Sequence, residues 1–289
     1  MTLSQLEALV ALSETGSFTT ASTFLGIGQS AVSHALRSLE TSLGIKLVDR
    51  NASPIILTDA GVRILPYARD MIFQAEAMKQ EANAAKGLAT GVLRIGSFGS
   101  TSSLRLLPKL VSEFSTRYPG IEVYIDEASD NVVAQWLLDR RIELGFVTLP
   151  DDRFDTIPLV EDEFVAVLAE HHPLAEYHAV ETARFDGLPF IMTDAGGRSH
   201  VETILAQADA KPRILFRLPQ ILSIIGVVQS GLAVSIIARL ALPDQFPGVV
   251  YRSLTPRAPR QVALAMKDFA KLSLAARAFV STAQKAGAL

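Results

Sequence analysis

The 289-residue chain contains no cysteine, which excludes oxidant sensing by thiol chemistry in this protein. Hydrophobic residues make up 49% of the chain, which is enough for the cores of two or three small domains. No secretory signal precedes the first amphipathic segment, residues 4–15. The sequence therefore predicts a cytoplasmic protein, and it weighs against an exported solute-binding protein.

An excess of positive charge is also absent. The net charge is −3, and residues 1–58 carry three basic side chains against four acidic ones: Arg37, Lys46 and Arg50 against Glu7, Glu14, Glu40 and Asp49. Affinity for nucleic acid that is independent of base sequence comes mainly from neutralised phosphates. If this region binds DNA, we expect few phosphate contacts and a large share of neutral hydrogen bonds.

Signatures of catalysis and of bound cofactors are missing too. The chain has no G-x-S-x-G, H-E-x-x-H or phosphate-loop motif, and Gly96-x-x-Gly99 is too weak to indicate a nucleotide site. We interpret residues 171–172, two histidines, as a turn before Pro173 and not as a metal site. The acidic residues 161–163 are expected to form a solvated entry to a strand. The sequence predicts no enzyme, no cofactor and no metal.

One apolar run, residues 221–242, is long enough to suggest a membrane span. Gln229, Ser230, Gly231 and Arg239 interrupt this run. A helix, a turn and a buried strand explain it better, so we expect no membrane partner.

Two short amphipathic helices that meet at a glycine are predicted between residues 18 and 40. In the second helix, Val32, Leu36 and Leu39 recur at spacings of four and three and share a buried face. The opposite face carries polar groups that no core requires: Gln29, Ser30, Ser33, His34 and Arg37. Such groups pair with base edges and phosphates, so the pattern is typical of a helix presented to the major groove. An ordinary solvated helix face is the alternative for this helix taken alone.

The first sixty residues resemble the LysR-type transcriptional regulators over a dense set of positions: 18–21, Leu25, 29–33, Leu36, 39–40, 43–44, Leu47, Arg50, 57–58 and 60–61. The resemblance implies a winged helix-turn-helix, with the second helix in a major groove and a wing that includes Arg50 on the DNA backbone. This chain departs from the family pattern in that Ser30 replaces a common proline and His34 a frequent arginine. Its wing, residues 50–56, also lacks the second arginine often found there.

A long helix is predicted after the wing. Apolar residues recur there at alternating spacings of four and three: Ile64, Ala68, Met71, Ala75, Met78, Ala82 and Ala85. This 3.5-residue repeat indicates a coiled-coil seam between two copies of the chain, although packing against the same chain is the alternative. A helix over residues 59–86 would be about 42 Å long and could hold the DNA-binding domains of two copies on neighbouring half-sites of DNA. Pro66 should kink it.

Strands and helices alternate after a composition break at residues 87–91. Strands are predicted at 92–96, 121–125 and 144–147 and helices at 104–118 and 132–139, an order that favours a parallel sheet covered on both faces. The second half repeats the pattern, with strands at 164–169, 190–192, 214–218 and 233–237 and helices at 201–208 and 221–229. Two such lobes would leave a ligand-binding crevice beyond the strand ends. The resemblance likewise implies an effector domain similar to periplasmic binding proteins.

Hydroxyl groups are concentrated where this crevice is expected. Residues 97–103 follow the first strand with more hydroxyls than the cap of one helix needs, although simple capping is the alternative. The predicted effector contacts are Ser100 and Thr101 by resemblance, Thr148 and Thr193 at strand ends, and Ser129 and Gln220 as weaker candidates. We expect a small anionic metabolite.

These patterns predict a multidomain protein: a winged helix-turn-helix DNA-binding domain at 1–58, a dimerising linker helix at 59–90 and a two-lobed α/β effector-binding domain at 91–289, with lobes at about 91–161 with 267–289 and about 162–266. The resemblance implies a homotetramer that binds double-stranded operator DNA and rearranges when a small-molecule effector binds. The alternative is a small-molecule-binding protein or an enzyme that uses the crevice, with the N-terminal domain serving oligomerisation.

Overall fold

The computed structural model describes residues 1–85, 90–194 and 197–286. The chain forms two compact units, one of Met1–Leu88 with Asp139–Arg141 and the other of Ala89–Leu138 with Ile142–Leu289. Most of the composition break predicted at 87–91 lies outside the described residues.

The N-terminal unit begins with three helices and a two-stranded wing: α1 (Leu3–Thr15), α2 (Phe18–Leu25), α3 (Gln29–Leu43), β1 (Val48–Asp49) and β2 (Ile56–Leu57). Each helix ends at a glycine with positive φ, a conformation that stops a helix without strain: Gly16, Gly26 and Gly44. Apolar side chains of α1 and α3 form the core beneath. The β-strands pair antiparallel, so the predicted winged helix-turn-helix is confirmed. This part of the unit, residues 1–58, is called the head.

Helix α4 (Asp59–Ala85) follows the wing directly. The Thr58 hydroxyl accepts a hydrogen bond from the Gly61 N–H at 3.1 Å and caps the first turn. A side chain at Gly61 would place its Cβ 2.1 Å from the Leu47 carbonyl oxygen, so only glycine fits this close approach. Pro66 lies inside the helix, which continues through it.

The predicted seam of α4 divides into two parts. Ile64 and Ala68 pack on the core of the head, as the alternative of packing against the same chain predicted. Met71 and Met78 are 45% and 68% exposed, and Ala82 and Ala85 are exposed as well. The second part of the seam therefore presents an apolar surface that its own unit does not cover.

The second unit contains a seven-stranded sheet and a separate pair of strands. Its strands are β3 (Gly91–Phe98), β4 (Ile121–Ala128), β5 (Leu144–Leu149), β6 (Asp155–Ala169), β7 (Ala179–Glu181), β8 (Pro189–Thr193), β9 (Arg213–Leu218), β10 (Ser235–Ala238) and β11 (Val249–Met266). The main sheet has the order β10-β6-β11-β5-β3-β4, with β7 beside β11. Strand β3 runs parallel to β4 and β5, as predicted, and β8 runs parallel to β9.

The two longest strands were not predicted at their full extent. Only the end of β6 was expected as a strand, at residues 164–169, and β11 was not expected at all. Strand β11 pairs antiparallel with both β5 and β6, so the sheet is mixed: the predicted parallel strands are present, and the antiparallel pairs were not predicted. Together β6 and β11 join the two lobes through one continuous sheet. Lobe I surrounds a core built from residues 93–159 and 262–283, and lobe II surrounds cores within residues 164–254.

The helices of this unit are α5 (Leu107–Arg117), α6 (Asp130–Leu138), α7 (Arg198–Gln207), α8 (Ile221–Gln229) and α9 (Leu274–Ala286). A π-helical turn, Thr101–Leu106, precedes α5 and occupies the start of the helix predicted at 104–118. The apolar run at 221–242 forms α8 and β10, as expected. Among the described residues, no helix has the length and apolar character that a membrane crossing requires.

The histidine pair forms the predicted turn. His172 Nδ1 accepts a hydrogen bond from the Leu174 N–H at 3.2 Å, which caps the short turn Pro173–Glu176. Within residues 1–85, 90–194 and 197–286, no cluster of three or more potential metal ligands occurs.

Candidate functional site

The polar face of α3 lies at the surface of the head. The side chains of Val32, Leu36 and Leu39 are fully buried on one side of the helix. On the other side the predicted contact residues are exposed, except that Ser33 is half-buried: Gln29, Ser30, Ser33, His34 and Arg37. The helix begins after Gly28 without a side-chain cap, so its first N–H groups stay available to a ligand such as phosphate.

Arg50 connects the wing to α3. Its guanidinium lies 3.1 Å from the Glu40 carboxylate, donates to the Ser33 hydroxyl at 3.4 Å, and sits 5.4 Å from the centre of the Phe18 ring. The sequence predicted Arg50 only as a DNA contact. The structure shows that the same side chain also holds three elements of the head together.

Glu40 is the buried anion at the centre of this arrangement, with 3% of its side chain exposed. Burial raises the pKa of Glu40, but hydrogen bonds from the Leu47 and Val48 N–H groups, the charge of Lys46 and a hydrogen bond from Arg50 leave that pKa below its ordinary value. Lys46 lies 3.5 Å from the same carboxylate. Of the three basic residues in 1–58, Arg37 alone forms no ion pair with any residue that the structure describes.

A central cavity lies in the second unit, between the start of the π-helical turn and the strands β6 and β11. It is lined by Phe98, Ser100, Thr101, Phe164, Thr193, Gly197, Ile221, Ile237, Ala238, Ala241 and Arg260. Its volume is about 20 Å³, roughly the space of one water molecule. Three of the predicted effector residues, Ser100, Thr101 and Thr193, lie on its wall.

Arg260 forms a buried ion pair with Asp162 at one end of this cavity. The two side chains are 5% and 0% exposed, and an Arg260 nitrogen lies 2.7 Å from Asp162 Oδ2. Arg260 also donates to the Thr101 hydroxyl at 2.7 Å, and its guanidinium lies 5.3 Å from the centre of the Phe164 ring. Burial lowers the pKa of Arg260, and the charge of Asp162 opposes that shift.

The expectation of a solvated acidic cluster was therefore wrong for Asp162. Its second carboxylate oxygen accepts hydrogen bonds from the N–H groups of Glu163 and Leu240 at 2.8 and 3.1 Å. Glu163 pairs with Arg257 at 2.9 Å. Both basic partners lie on β11, the strand that the sequence analysis missed, so nothing local in residues 161–163 could reveal them.

An outer hollow of about 410 Å³ adjoins the central cavity, since Ser100 and Ile221 line both. Its wall consists of Gly99, Ser100, Glu127, Ala128, Ser129, Asp194, Pro219, Gln220, Ile221 and Leu222. The weaker candidates Ser129 and Gln220 are thus brought next to Ser100. Two carboxylates, those of Glu127 and Asp194, also face this space, and neither was predicted.

Comparison with known proteins identifies the family. The helix-turn-helix family described as "Bacterial regulatory helix-turn-helix protein, lysR family" matches residues 3–62, and the "LysR substrate binding domain" matches residues 86–288. The chain is 36% identical to the uncharacterised HTH-type transcriptional regulator YvbU of Bacillus subtilis, over 99% of this chain and 98% of YvbU. The chain belongs to the LysR family of transcriptional regulators.

Other relatives of this LysR-family regulator agree in length and fold. The probable HTH-type transcriptional regulator LrrA of Synechococcus elongatus is 33% identical over 88% of this chain and 86% of its own. A full-length OxyR variant from Pseudomonas aeruginosa superposes with a TM-score of 0.74 at 22% identity, covering 98% of this chain and 95% of its own, which shows a shared fold. These relatives are described as regulators of transcription, not as enzymes.

Thr148 is the predicted effector residue that the structure separates from the others. It lies near the end of β5, where its Cα is opposite that of Val262 on β11. Thr148 lines neither the central cavity nor the outer hollow. Arg260 of this regulator lines the central cavity, although the sequence did not indicate it as an effector contact. Its position just before the apolar run 262–266 is the one sequence signal that could have suggested a strand there.

Proposed function

We propose that this regulator reads operator DNA through the polar face of α3, with Gln29, Ser30, Ser33, His34 and Arg37 as the contacting residues and Arg50 as the wing contact. Exposure of Gln29, Ser30, His34 and Arg37 above a fully buried apolar face is the observation that supports the proposal most directly. Among described residues Arg37 has no ion-pair partner, so its charge is available to a guanine or a phosphate. Arg50 is shared with Glu40 and contributes less.

The proposed organisation follows the sequence prediction: a DNA-binding domain at 1–58, a linker helix at 59–90 and an effector-binding domain at 91–289, in a cytoplasmic protein that is not an enzyme. The exposed part of the seam on α4 supports a dimer, because methionine and alanine side chains allow two helices to approach closely. A tetramer would then need a second kind of contact between dimers, as the family resemblance implies.

The effector in this proposal is a small metabolite that binds across the central cavity and the outer hollow. At the inner end, the Arg260 guanidinium and the hydroxyls of Ser100 and Thr101 suit a carboxylate or another anion. At the outer end, Glu127 and Asp194 suit hydrogen-bond donors. A molecule with an anionic group and an amine or hydroxyls, such as an amino acid, matches both ends better than a simple dianion does.

Binding of such a molecule requires movement. A central cavity of about 20 Å³ cannot admit a metabolite, so the effector must favour a state in which the gap between the lobes is wider. Strands β6 and β11 run through both lobes and connect them, so the gap between the lobes would open about these two strands. The effector then shifts the regulator between two arrangements by its differential affinity for them.

Thermal-shift screening of the full-length protein tests this proposal, with amino acids compared against the matching dicarboxylates and simple amines. Each stabilising compound is then titrated against wild type, Ser100→Ala and Thr148→Ala. Loss of a hydrogen bond to a charged ligand should weaken binding to Ser100→Ala by about 1.5–3 kcal/mol. Thr148→Ala is the matched control and should bind like wild type. Equal losses in both variants, or stabilisation by amines alone, would contradict the proposed site.

A further inference from the structure

A second cavity, here called the side pocket, lies apart from the crevice. It is lined by Phe164, Thr182, Ser199, His200, Thr203, Ile204, Gln207, Ala208, Pro256, Arg257, Ala258 and Pro259, and its volume is about 380 Å³. That volume falls within the range of about 300–1,000 Å³ that is usual for small-molecule sites. All of its wall belongs to residues 164–259, so it does not depend on the gap between the lobes.

Two residues that line this pocket each have a buried polar atom with no hydrogen-bond partner among the described residues. These atoms are the Thr182 hydroxyl oxygen and His200 Nδ1. Thr182 is 2% exposed, so the surrounding solvent does not satisfy its hydroxyl. A buried polar group without a partner costs about 1–3 kcal/mol, which makes two of them beside one cavity an indication of a ligand that supplies the partners.

The charges at the side pocket favour an anion. Arg257 is on its wall, where its guanidinium is shared with Glu163 at 2.9 Å, and no carboxylate is among the residues that line the pocket itself. The outer hollow, by contrast, has Glu127 and Asp194 on its wall. Burial lowers the pKa of His200, so its imidazole is neutral at neutral pH and carries one donor and one acceptor nitrogen.

The remaining wall is largely apolar. Ile204 and Ala208 of the α7 region face the pocket from one side, and Pro256, Ala258 and Pro259 of β11 face it from another. The Phe164 ring forms part of the wall as well. These surfaces suit the hydrocarbon body of a small molecule, and Ser199, Thr203 and Gln207 form the polar part of the same wall.

We propose that the side pocket is a second ligand site, which binds a small apolar monocarboxylate. The carboxylate lies toward Arg257, Thr182 and His200, and the apolar body packs against the aliphatic and proline side chains. This site is separate from the effector crevice and does not require the proposed effector to be correct.

Phe164 links the side pocket to the central cavity, because its ring lines both. The ring stacks on His200 at 5.6 Å between centroids, and the Arg260 guanidinium lies 5.3 Å from the same ring. A molecule that moves His200 or Phe164 therefore changes the wall of the effector site. Occupancy of either site should alter affinity at the other, and by linkage the effect must be reciprocal.

Binding of phenylacetate to the full-length protein tests the proposal, with phenylacetamide as the neutral analogue. Two variants with matched substitutions separate the sites: Thr203→Trp fills the side pocket from an exposed position of α7, and Leu222→Trp fills the outer hollow from an exposed position of α8. We expect saturable binding of phenylacetate to wild type and to Leu222→Trp, with affinity at least about tenfold lower in Thr203→Trp and for phenylacetamide. Loss of binding in Leu222→Trp alone, or no saturation by about 10 mM in wild type, overturns the proposal.

Thr182→Val adds a readout that a merely structural hydroxyl would not give. Removal of an unpartnered buried hydroxyl should raise the melting temperature of the ligand-free protein, and loss of a donor should weaken phenylacetate binding at least about fivefold. Stability and affinity thus change in opposite directions. A lower melting temperature for Thr182→Val would show that the hydroxyl is satisfied within the protein, which contradicts its assignment to a ligand.

Discussion

Arg260 and Asp162 face each other directly across the antiparallel pair of β11 and β6, and their side chains form an ion pair 2.7 Å long. The carboxylate is fully satisfied, because its other oxygen accepts two backbone N–H groups. The guanidinium reaches on to the Thr101 hydroxyl at 2.7 Å. One buried pair therefore connects strands β6 and β11 to the π-helical turn after β3, at the inner end of the proposed effector site.

Breaking this pair should destabilise the second unit strongly. In Asp162→Asn the Arg260 charge stays buried without its counter-charge, a situation that typically costs about 3–5 kcal/mol. The double variant Asp162→Leu with Arg260→Met removes both charges and should recover much of that loss. Thermal unfolding of the full-length proteins measures both. The control is Arg198→Gln, which removes the exposed pair with Glu202 and should cost less than about 1 kcal/mol. Equal effects of Asp162→Asn and Arg198→Gln would contradict the role of the buried pair.

Glu40 should make the head sensitive to acid. Its folded pKa lies below the ordinary value of 4.5, so its stabilising effect is complete at neutral pH and is lost as the pH falls from about 4.5 through the lower folded value. Glu40→Gln should reduce protection of α3 from hydrogen exchange by about 1–3 kcal/mol at neutral pH. Hydrogen exchange of peptides covering residues 29–48, corrected for intrinsic rates, measures this. The difference between Glu40→Gln and wild type should shrink below pH 4.5, and a difference that stays constant with pH would refute the assignment.

The elements that the sequence predicted well are those specified by local patterns. Helix α8 spans the predicted residues 221–229, and α3 buries the predicted apolar stripe, because a helical period is visible within a single segment. The parallel strands β3 to β5 followed from short apolar runs with clear turn signals, whereas the wing was implied by the family resemblance. In these segments local preference and tertiary packing agree.

The parts that the sequence did not predict depend on distant partners. Strand β11 contains Pro256 and Pro259, and its register with β6 shifts between Ser253 and Ala258, so neither alternation nor composition indicated a strand. With β11 missing, Asp162 had no visible partner and was taken for a solvated acid. Thr148 was assigned to the crevice because it ends a strand, but it lines neither the central cavity nor the outer hollow, and its contact with an effector stays untested.

Arg37 should account for much of the base-specific affinity of the head. Replacement by alanine should weaken operator binding by about 1–3 kcal/mol, the usual value for one good contact to a base. Thr41→Ala, one turn further along α3 and also exposed, is the control and should leave affinity unchanged. Titration of each variant with duplex operator DNA measures both. If Thr41→Ala weakens binding as much as Arg37→Ala does, the face of α3 has been assigned wrongly.

The salt dependence of binding is a separate prediction. Lys46 and Arg50 are both paired with Glu40, so few cations in each head are available to phosphates. The slope of log affinity against log salt should therefore be shallow, because each neutralised phosphate contributes only about −0.9 to it. A slope near the value of about −10 known for a highly basic repressor would show that phosphate contacts dominate after all.

The exposed end of α4 should hold two copies of the regulator together. Met71 and Met78 lie two turns apart in the 3.5-residue repeat, and their side chains are 45% and 68% exposed. Glutamates at both positions would therefore face their counterparts in the second copy across the proposed seam. Sedimentation velocity should show that Met71→Glu with Met78→Glu falls to an assembly of about half the wild-type mass, with much weaker operator binding. Val62→Glu is the matched control, because Val62 is 57% exposed and lies about 180° around the helix from Met71. A double variant that keeps the wild-type mass would place the dimer contact elsewhere, whereas a loss of mass in Val62→Glu would show that any new charge on α4 disrupts assembly.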